Sequence, residues 1–185
     1  MKNLLILIVF STFFSFSADA QKFFTRDGHI SFFSSTPIED IQADNHQVSS
    51  ILNAENGEIV FSVLMKGFEF EKALMEEHFN EKYVHSDEYP KTTFKGQINN
   101  WDEIDLKTDG VVEVLVSGIL SMHGVEKEIT QTGQLTIADG VVTEAISTFD
   151  IVPEEYDVKI PSIVRENIAE KVQVTVTMNY ELYGK

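Results

Sequence analysis

The feature that most constrains this chain is a regular alternation of apolar and polar residues over several long segments. From residue 172 to 183, every second residue is apolar and its neighbours are polar or charged. Successive side chains of a β-strand point to opposite faces, so this pattern predicts a strand with one buried face. The same alternation runs over residues 112–122, 125–137 and 141–151, and Asp139-Gly140 predicts a tight hairpin between the last two. These three segments are therefore expected to form an antiparallel meander.

Further strands are expected upstream in the chain. The segments concerned are residues 23–26, 29–35, 46–53, 59–65 and 94–98. The total is about eight strands, and several exceed the usual length of roughly five or six residues. Long consecutive antiparallel strands favour an all-β, eight-stranded antiparallel barrel over a small sandwich. An interior of that size is just wide enough for one small ligand.

One segment, residues 69–84, lacks the alternation and is rich in Glu, Lys, Ala, Leu and Met. These residues favour a helix, which we expect to pack at one end of the barrel or against its wall. The proline of Tyr89-Pro90 prevents its continuation. A second short helix or turn is expected at residues 162–169.

The first twenty residues have the pattern of a secretory signal peptide. Lys2 precedes an apolar run over residues 4–16, and Ala18-Asp19-Ala20 matches a small-x-small cleavage site. We expect cleavage after Ala20, a single domain over residues 21–185, and a periplasmic or secreted location. No later segment has the roughly 20 apolar residues that a membrane-spanning helix needs, so no integral membrane segment is expected after cleavage.

Composition removes several classes of function. The chain has no cysteine, which excludes disulfides, thiol nucleophiles and iron–sulfur clusters. It has 14 Lys+Arg against 30 Asp+Glu, a formal net charge of -16. Such a charge repels phosphate backbones and anionic lipid surfaces, so nucleic acid is not an expected partner. The expected partner is neutral, cationic or apolar.

Catalytic motifs are absent from the sequence. The spacing of the ten glycines excludes a dinucleotide-binding fingerprint, a P-loop and a nucleophile elbow. His78, Glu81 and His85 could share one helical face and bind a metal ion, but a solvated acidic helix explains them more simply. We therefore predict no catalytic residue, no metal site and no cofactor.

Three motifs resemble one known family. They are the helical residues 79–83 followed by Tyr89-Pro90-Lys91-Thr92-Thr93-Phe94-Lys95-Gly96, the hairpin segment 118–127, and Tyr156-Asp157-Val158-Lys159-Ile160-Pro161. In order and spacing they resemble the YceI-like family of secreted polyisoprenoid-binding proteins, over about residues 23–183. The resemblance implies a lipocalin-like barrel with an apolar pore that holds an isoprenoid chain, and no catalytic residues.

The resemblance implies no fixed set of polar ligand-binding residues that could be assigned to positions in this sequence. The candidate ligand-binding residues are therefore chosen from the alternation alone. They are Phe61, Val63, Phe70, Leu74, Phe79, Phe94, Ile98, Val114, Val116, Leu120, Ile129, Leu135, Phe149, Val174, Val176 and Met178. The expected function is that of a carrier for an apolar chain such as a polyisoprenoid, an isoprenoid quinone or a related lipid. Two alternatives remain open: an interaction module whose barrel is filled by its own side chains, and a metal-dependent enzyme using the His/Glu set. The Phe-rich segments could also form a homodimer interface.

Overall fold

The structure is a computed structural model that describes residues 21–183. The expected signal peptide, residues 1–20, lies outside the described residues. The strands are β1 (Lys22–Ser35), β2 (Asp40–Asn53), β3 (Glu58–Leu64), β4 (Phe68–Phe70), β5 (Lys91–Ile98), β6 (Gly110–Met122), β7 (Val125–Ala138), β8 (Val141–Ile151), β9 (Val172–Asn179) and β10 (Glu181–Leu182).

Eight of these strands form a closed antiparallel barrel, which confirms the expected fold. Neighbours follow the order β1-β9-β8-β7-β6-β5-β3-β2, and β1 pairs with β2 to close the ring. The short strands β4 and β10 add to β2 and β1 respectively. Closure gives every strand of the ring a neighbour on each side and creates an interior.

The predicted meander is confirmed, with β6, β7 and β8 joined by two tight turns. Asp139 and Gly140 both adopt positive φ, as the predicted hairpin requires. At the N-terminus, the two separate strands expected at residues 23–26 and 29–35 are instead one strand, β1. Irregular pairing with β2 around Gly28 bends β1 without ending it.

The expected helix is present but shorter than residues 69–84. The helix α1 covers Ala73–His78 and continues as one π-helical turn over Phe79–Tyr83. Phe68–Phe70 form β4 because they pair with residues 43–45 of β2. This tertiary pairing overrides the helical preference of the segment, and β5 begins at Lys91, directly after Pro90. At residues 162–169 the structure has a single 3-10 turn, Ser162–Val164.

The two ends of the barrel differ in their connections. One end, here called the closed end, carries the β2–β3 and β7–β8 turns and the loop before β6. The other, the open end, carries residues 36–39, the helical region 65–90, the β6–β7 turn and the connection 152–171. The long connections therefore collect at one end of the interior.

Apolar side chains fill the barrel near the closed end. The buried residues there include Phe23, Leu52, Ile98, Trp101, Ile137, Val142, Met178 and Tyr180. Among them, the Tyr180 hydroxyl lies 2.7 Å from Ser50 Oγ in a buried hydrogen bond. Burial raises the pKa of Tyr180 above its ordinary value, so the phenol stays neutral.

Candidate ligand-binding cavity

A cavity of about 410 Å³ occupies the half of the barrel nearer the open end. Ligand pockets in proteins measure about 300–1,000 Å³, so this space fits a small ligand. Ile59, Ile98 and Leu135 line its inner limit, where the packed core of the closed end begins. The barrel is thus packed in one half and hollow in the other.

The alternation of the strands places apolar side chains on the cavity wall. Every residue selected by sequence lines the cavity except Leu74 and Met178; those that line it are Phe61, Val63, Phe70, Phe79, Phe94, Ile98, Val114, Val116, Leu120, Ile129, Leu135, Phe149, Val174 and Val176. Except for Phe79, which lies in the π-helical turn, these residues are on strands, where one face must point inward.

Leu74 and Met178 lie elsewhere. Leu74 is 61% exposed, because α1 turns its other face, with Met75 and His78, toward the cavity. Met178 belongs to the inward face of β9 but lies in the packed half, fully buried and in contact with Gly28. Alternation indicates which face of a strand a residue occupies. It does not indicate whether that residue lies in the packed half or the hollow half of the barrel.

Two paired glycines make space for one aromatic ring of the wall. Gly96 of β5 pairs with Gly118 of β6. A Cβ on Gly118 would lie 2.4 Å from the Cα of Gly96 and 2.8 Å from the Phe94 ring. The two strands therefore carry no side chain at this level, and Phe94 covers them.

Four phenylalanines cluster between the cavity and the helical region. The ring centroids of Phe68, Phe70 and Phe79 lie 5.4 to 5.7 Å from that of Phe32, which occupies the centre of the cluster. Offset and edge contacts at such distances stabilise aromatic packing. Phe32 and Phe68 were not among the predicted site residues. The alternation Ile30-Phe32-Ser34 could have indicated Phe32.

The connection between β8 and β9, residues 152–171, is here called the covering segment. Pro153, Val158, Ile160, Val164 and Ile168 of this segment line the cavity. None was predicted, because an irregular segment has no periodicity from which to infer a buried face. The covering segment supplies apolar wall where the sheet itself is incomplete.

The incomplete part of the sheet lies between β7 and β8. Their backbone pairing covers only residues 134–138 and 141–146, near the closed end. Beyond it, residues 125–133 and 147–151 separate, although each strand still pairs with its other neighbour. Ser147 Oγ donates to the Thr132 carbonyl at 2.6 Å, which bridges the start of this gap, here called the β7–β8 seam.

Side chains of β7 hold the covering segment beside the seam. Lys127 Nζ donates to Glu155 Oε2 at 2.9 Å and lies 5.7 Å from the centre of the Tyr156 ring. Cation–π and partly exposed ion-pair contacts each contribute up to about 1 kcal/mol. The Tyr156 side chain is buried, and burial raises its pKa. These polar contacts are individually weak and add to the apolar burial of Tyr156 and Val158.

A polar cluster ties three segments of the open end together. Glu39 accepts hydrogen bonds from Lys72 Nζ and Asn167 Nδ2, both at 3.2 Å. The Lys72 ammonium and the Asn167 amide hold the pKa of Glu39 below its ordinary value. Nearby, the backbone N–H of Ala169 donates to Ser34 Oγ at 2.9 Å. The β1–β2 loop, the start of α1 and the covering segment are therefore linked.

The candidate metal set is dispersed by the fold. His78 ends α1 and lines the cavity, Glu81 lies in the π-helical turn, and His85 lies beyond it with a positive φ. Within residues 21–183, no group of three or more His, Cys, Asp or Glu side chains could hold a metal ion.

A family model described as the YceI-like domain matches residues 11–180 of the chain. The chain belongs to the YceI-like domain family. The resemblance drawn from the sequence motifs is thereby confirmed. No curated protein sequence matches the chain.

Solved structures share the fold of this YceI-like domain at low sequence identity. A polyisoprenoid binding domain from Saccharophagus degradans, implicated in plant cell wall breakdown, has a TM-score of 0.74 at 15% identity, over 88% of this chain and 98% of its own. BcnA from Burkholderia cenocepacia has a TM-score of 0.64 at 15% identity, over 81% of this chain and 94% of its own. The Campylobacter jejuni YceI protein has a TM-score of 0.55 at 12% identity, over 100% of this chain and 91% of its own.

The motifs that carry the YceI-like resemblance meet at the open end. Residues 89–96 lead into β5, and residues 118–127 span the β6–β7 turn. In that turn, His123 Nδ1 donates to the Tyr156 carbonyl, and its Nε2 lies 2.9 Å from His85 Nδ1.

No helix among the described residues is long and apolar enough to cross a membrane.

Proposed function

We propose that this YceI-like protein is an exported carrier that holds one apolar chain, such as a polyisoprenoid, an isoprenoid quinone or a related lipid, inside its barrel. The observation that carries the proposal is the cavity of about 410 Å³, whose wall is built almost entirely from aliphatic and aromatic side chains. Such a wall provides apolar contacts for a hydrocarbon chain and few hydrogen-bond partners for a polar ligand.

The driving force is the removal of apolar surface from water. Burial contributes about 0.8 kcal/mol per methylene, or roughly 4 kcal/mol for each five-carbon prenyl unit. Ordering a flexible chain offsets part of this gain. Holding such a chain needs no chemical step, and we propose no catalysis and no cofactor other than the bound lipid.

Two further observations support the proposal. The structurally similar Saccharophagus degradans protein is described as a polyisoprenoid binding domain. Residues 1–20 have the basic, apolar and small-x-small pattern of a secretory signal. We therefore propose that the protein acts in the periplasm or outside the cell, after cleavage following Ala20.

The direct test is native mass spectrometry of the full-length gene product purified from a bacterial periplasm, followed by organic extraction of bound molecules. We expect one prenyl or acyl lipid per chain, or uptake of added quinone or polyprenol at that stoichiometry. Protein that is purified without a bound lipid and takes up neither added quinone nor added polyprenol would contradict the carrier function and favour an interaction module.

A charge placed in the cavity wall tests the same proposal by substitution. Val116→Glu or Val176→Glu would put an unpaired carboxylate beside the ligand, so we expect uptake to be abolished. Leu115→Glu is the matched control, because Leu115 is 40% exposed and lies on the opposite face of β6 from Val116. Equal uptake by folded Val116→Glu and Leu115→Glu variants would contradict binding inside the barrel.

A further inference from the structure

Three connections at the open end each carry an exposed aliphatic side chain. Ile38, in the β1–β2 loop, is 59% exposed. Leu74 lies on α1, and Ile163, in the 3-10 turn of the covering segment, is 90% exposed. The three residues are here called the apolar rim. Isolated exposed apolar residues are ordinary on protein surfaces, whereas several on one surface mark an interaction site.

Hydrogen bonds tie the three connections of the apolar rim together at one place. Glu39 directly follows Ile38, and its carboxylate accepts from Lys72 and Asn167, both at 3.2 Å. Lys72 begins α1 and Asn167 follows the 3-10 turn, so both lie within four residues of the other rim side chains. The Thr36 hydroxyl also accepts from the backbone N–H groups of Ile38 and Glu39, which fixes the β1–β2 loop. The apolar rim is therefore one surface and not three separate loop tips.

The apolar rim is continuous with the cavity wall. On α1, Met75 lines the cavity directly after the exposed Leu74. In the covering segment, Val164 lines the cavity directly after the exposed Ile163. A hydrocarbon chain that passes between the cavity and the outside at the open end would therefore contact apolar side chains along its way.

The charges beside the apolar rim select the kind of surface that it fits. Residues 36–40 contain two acidic residues and no basic one, residues 71–77 contain three against one, and residues 152–171 contain five against three. Such a surface repels anionic lipid head groups. It attracts the ammonium groups that lie outermost on a bilayer of phosphatidylcholine or phosphatidylethanolamine. Its charge thus complements a zwitterionic membrane surface.

The proposed ligand also favours a bilayer as the occupant of the rim. A polyisoprenoid or quinone dissolves in a bilayer, and every methylene that leaves it for water costs free energy. A carrier whose cavity mouth touches the bilayer avoids this cost during loading and release. A protein docked on the rim would provide no such reservoir of ligand.

We propose that the apolar rim docks the open end on a zwitterionic lipid bilayer, with Ile38, Leu74 and Ile163 inserted among the head groups, so that the apolar chain passes between membrane and cavity without crossing bulk water. The passage of the chain rests on the proposed carrier function. The docking itself is a property of the exposed surface and is measured separately.

The first experiment is flotation of the purified protein with lipid vesicles. One set of vesicles contains phosphatidylcholine alone, and the other contains equal parts of phosphatidylcholine and phosphatidylglycerol. We expect association with the first set and weaker association with the second at low ionic strength. Added salt should reduce the difference, because it screens the repulsion between the acidic surface and the anionic lipid.

Substitutions in the apolar rim test which surface makes the contact. Leu74→Asp and Ile163→Asp should each lower partition onto phosphatidylcholine vesicles at least about tenfold, because each removes an inserted aliphatic side chain and introduces a charge that would have to be desolvated. Val111→Asp is the matched control, because Val111 is 62% exposed at the closed end and receives the same charge. It should leave the partition unchanged.

Uptake of polyprenol tests the passage of the chain. We expect the rate of uptake from phosphatidylcholine vesicles to rise with vesicle concentration, as contact with the bilayer requires, and to be lower in Ile163→Asp. The amount of polyprenol taken up from detergent micelles should be the same in Ile163→Asp and the wild type, because Ile163 does not line the cavity.

The outcomes separate docking from the carrier function. Wild-type protein that takes up polyprenol from detergent but does not float with phosphatidylcholine vesicles would overturn docking and leave the carrier function intact. Equal partition of Ile163→Asp and Val111→Asp would overturn the role of the rim, and tighter association with the anionic vesicles would overturn the zwitterionic assignment. A dimer in sedimentation velocity that Ile163→Asp dissociates, without vesicle binding, would replace the bilayer by a second copy of the chain. Vesicle binding without any uptake of polyprenol would overturn the carrier function and the passage of the chain, but not docking.

Discussion

At the scale of single residues, Glu39 shows how one side chain organises the open end. Its carboxylate contacts α1 through Lys72 and the covering segment through Asn167, while its own backbone belongs to the β1–β2 loop. These hydrogen bonds favour the ionised form and lower the pKa of Glu39. A carboxyl group whose pKa is lower in the folded state stabilises that state above its ordinary pKa of about 4.3.

The stabilisation by Glu39 is lost as the pH falls through its lowered pKa. We therefore expect the wild type to melt at a higher temperature than Glu39→Gln at neutral pH, and the difference to be smaller at about pH 3, where the unfolded state binds the proton more readily than the folded state does. Lys72→Met should behave similarly, because it removes the same ion pair. A melting difference that stays constant between the two pH values would contradict this account.

At the scale of elements, the seam and the covering segment form the part of the wall where β7 and β8 lack backbone pairing with each other. Elsewhere neighbouring strands are joined by backbone hydrogen bonds, whereas beyond Gln134 and Ile146 the residues of β7 and β8 have no pairing with each other. Side-chain contacts from Lys127 and His123 hold the covering segment there instead. Few and partly exposed contacts give low local stability.

Removal of the Lys127 contacts should loosen the covering segment specifically. We expect Lys127→Met to raise amide hydrogen exchange at residues 152–160 about three- to tenfold, corresponding to one ion pair and one cation–π contact. Lys66→Met is the control, because it removes the exposed Lys66–Asp87 ion pair on a different loop. Unchanged exchange at residues 152–160 in Lys127→Met would show that apolar contacts alone hold the segment.

At the scale of the whole molecule, the packed core and the candidate ligand cavity occupy opposite halves of one barrel. Leu52 is fully buried in the packed half and does not line the cavity, whereas Ile129 faces the hollow half. A side chain beside empty space has fewer partner atoms to lose on truncation. The cost of losing the same kind of side chain should therefore depend on its position along the barrel axis.

Urea unfolding of the ligand-free protein measures this difference. Leu52→Ala should lower the free energy of unfolding by about 2–5 kcal/mol, and Ile129→Ala by clearly less. Bound ligand at a hundred times its dissociation constant should add about 2.7 kcal/mol to the wild type. Equal costs for the two variants would contradict the division into a packed and a hollow half.

The sequence alone determined the features that depend on neighbouring residues. Period-two alternation is a local property, so it located β6, β7, β8 and β9 and assigned the inward face that carries Val116 and Val176. The Asp139-Gly140 turn was equally predictable, because its positive φ values restrict the residues that fit. The number and length of the strands favoured a barrel, and the family resemblance added the expectation of an apolar pore along it.

Only the tertiary structure decided the features that depend on distant contacts. Residues 68–70 became a strand because β2 was available to pair with them, and the covering segment lies over the cavity partly through Asn167 and Ala169, which bond to Glu39 and Ser34. The same applies to the boundary between the packed and hollow halves, which places Met178 in the core and Val176 on the cavity wall. Alternation along one strand contains no information about how far side chains from seven other strands fill the space between them.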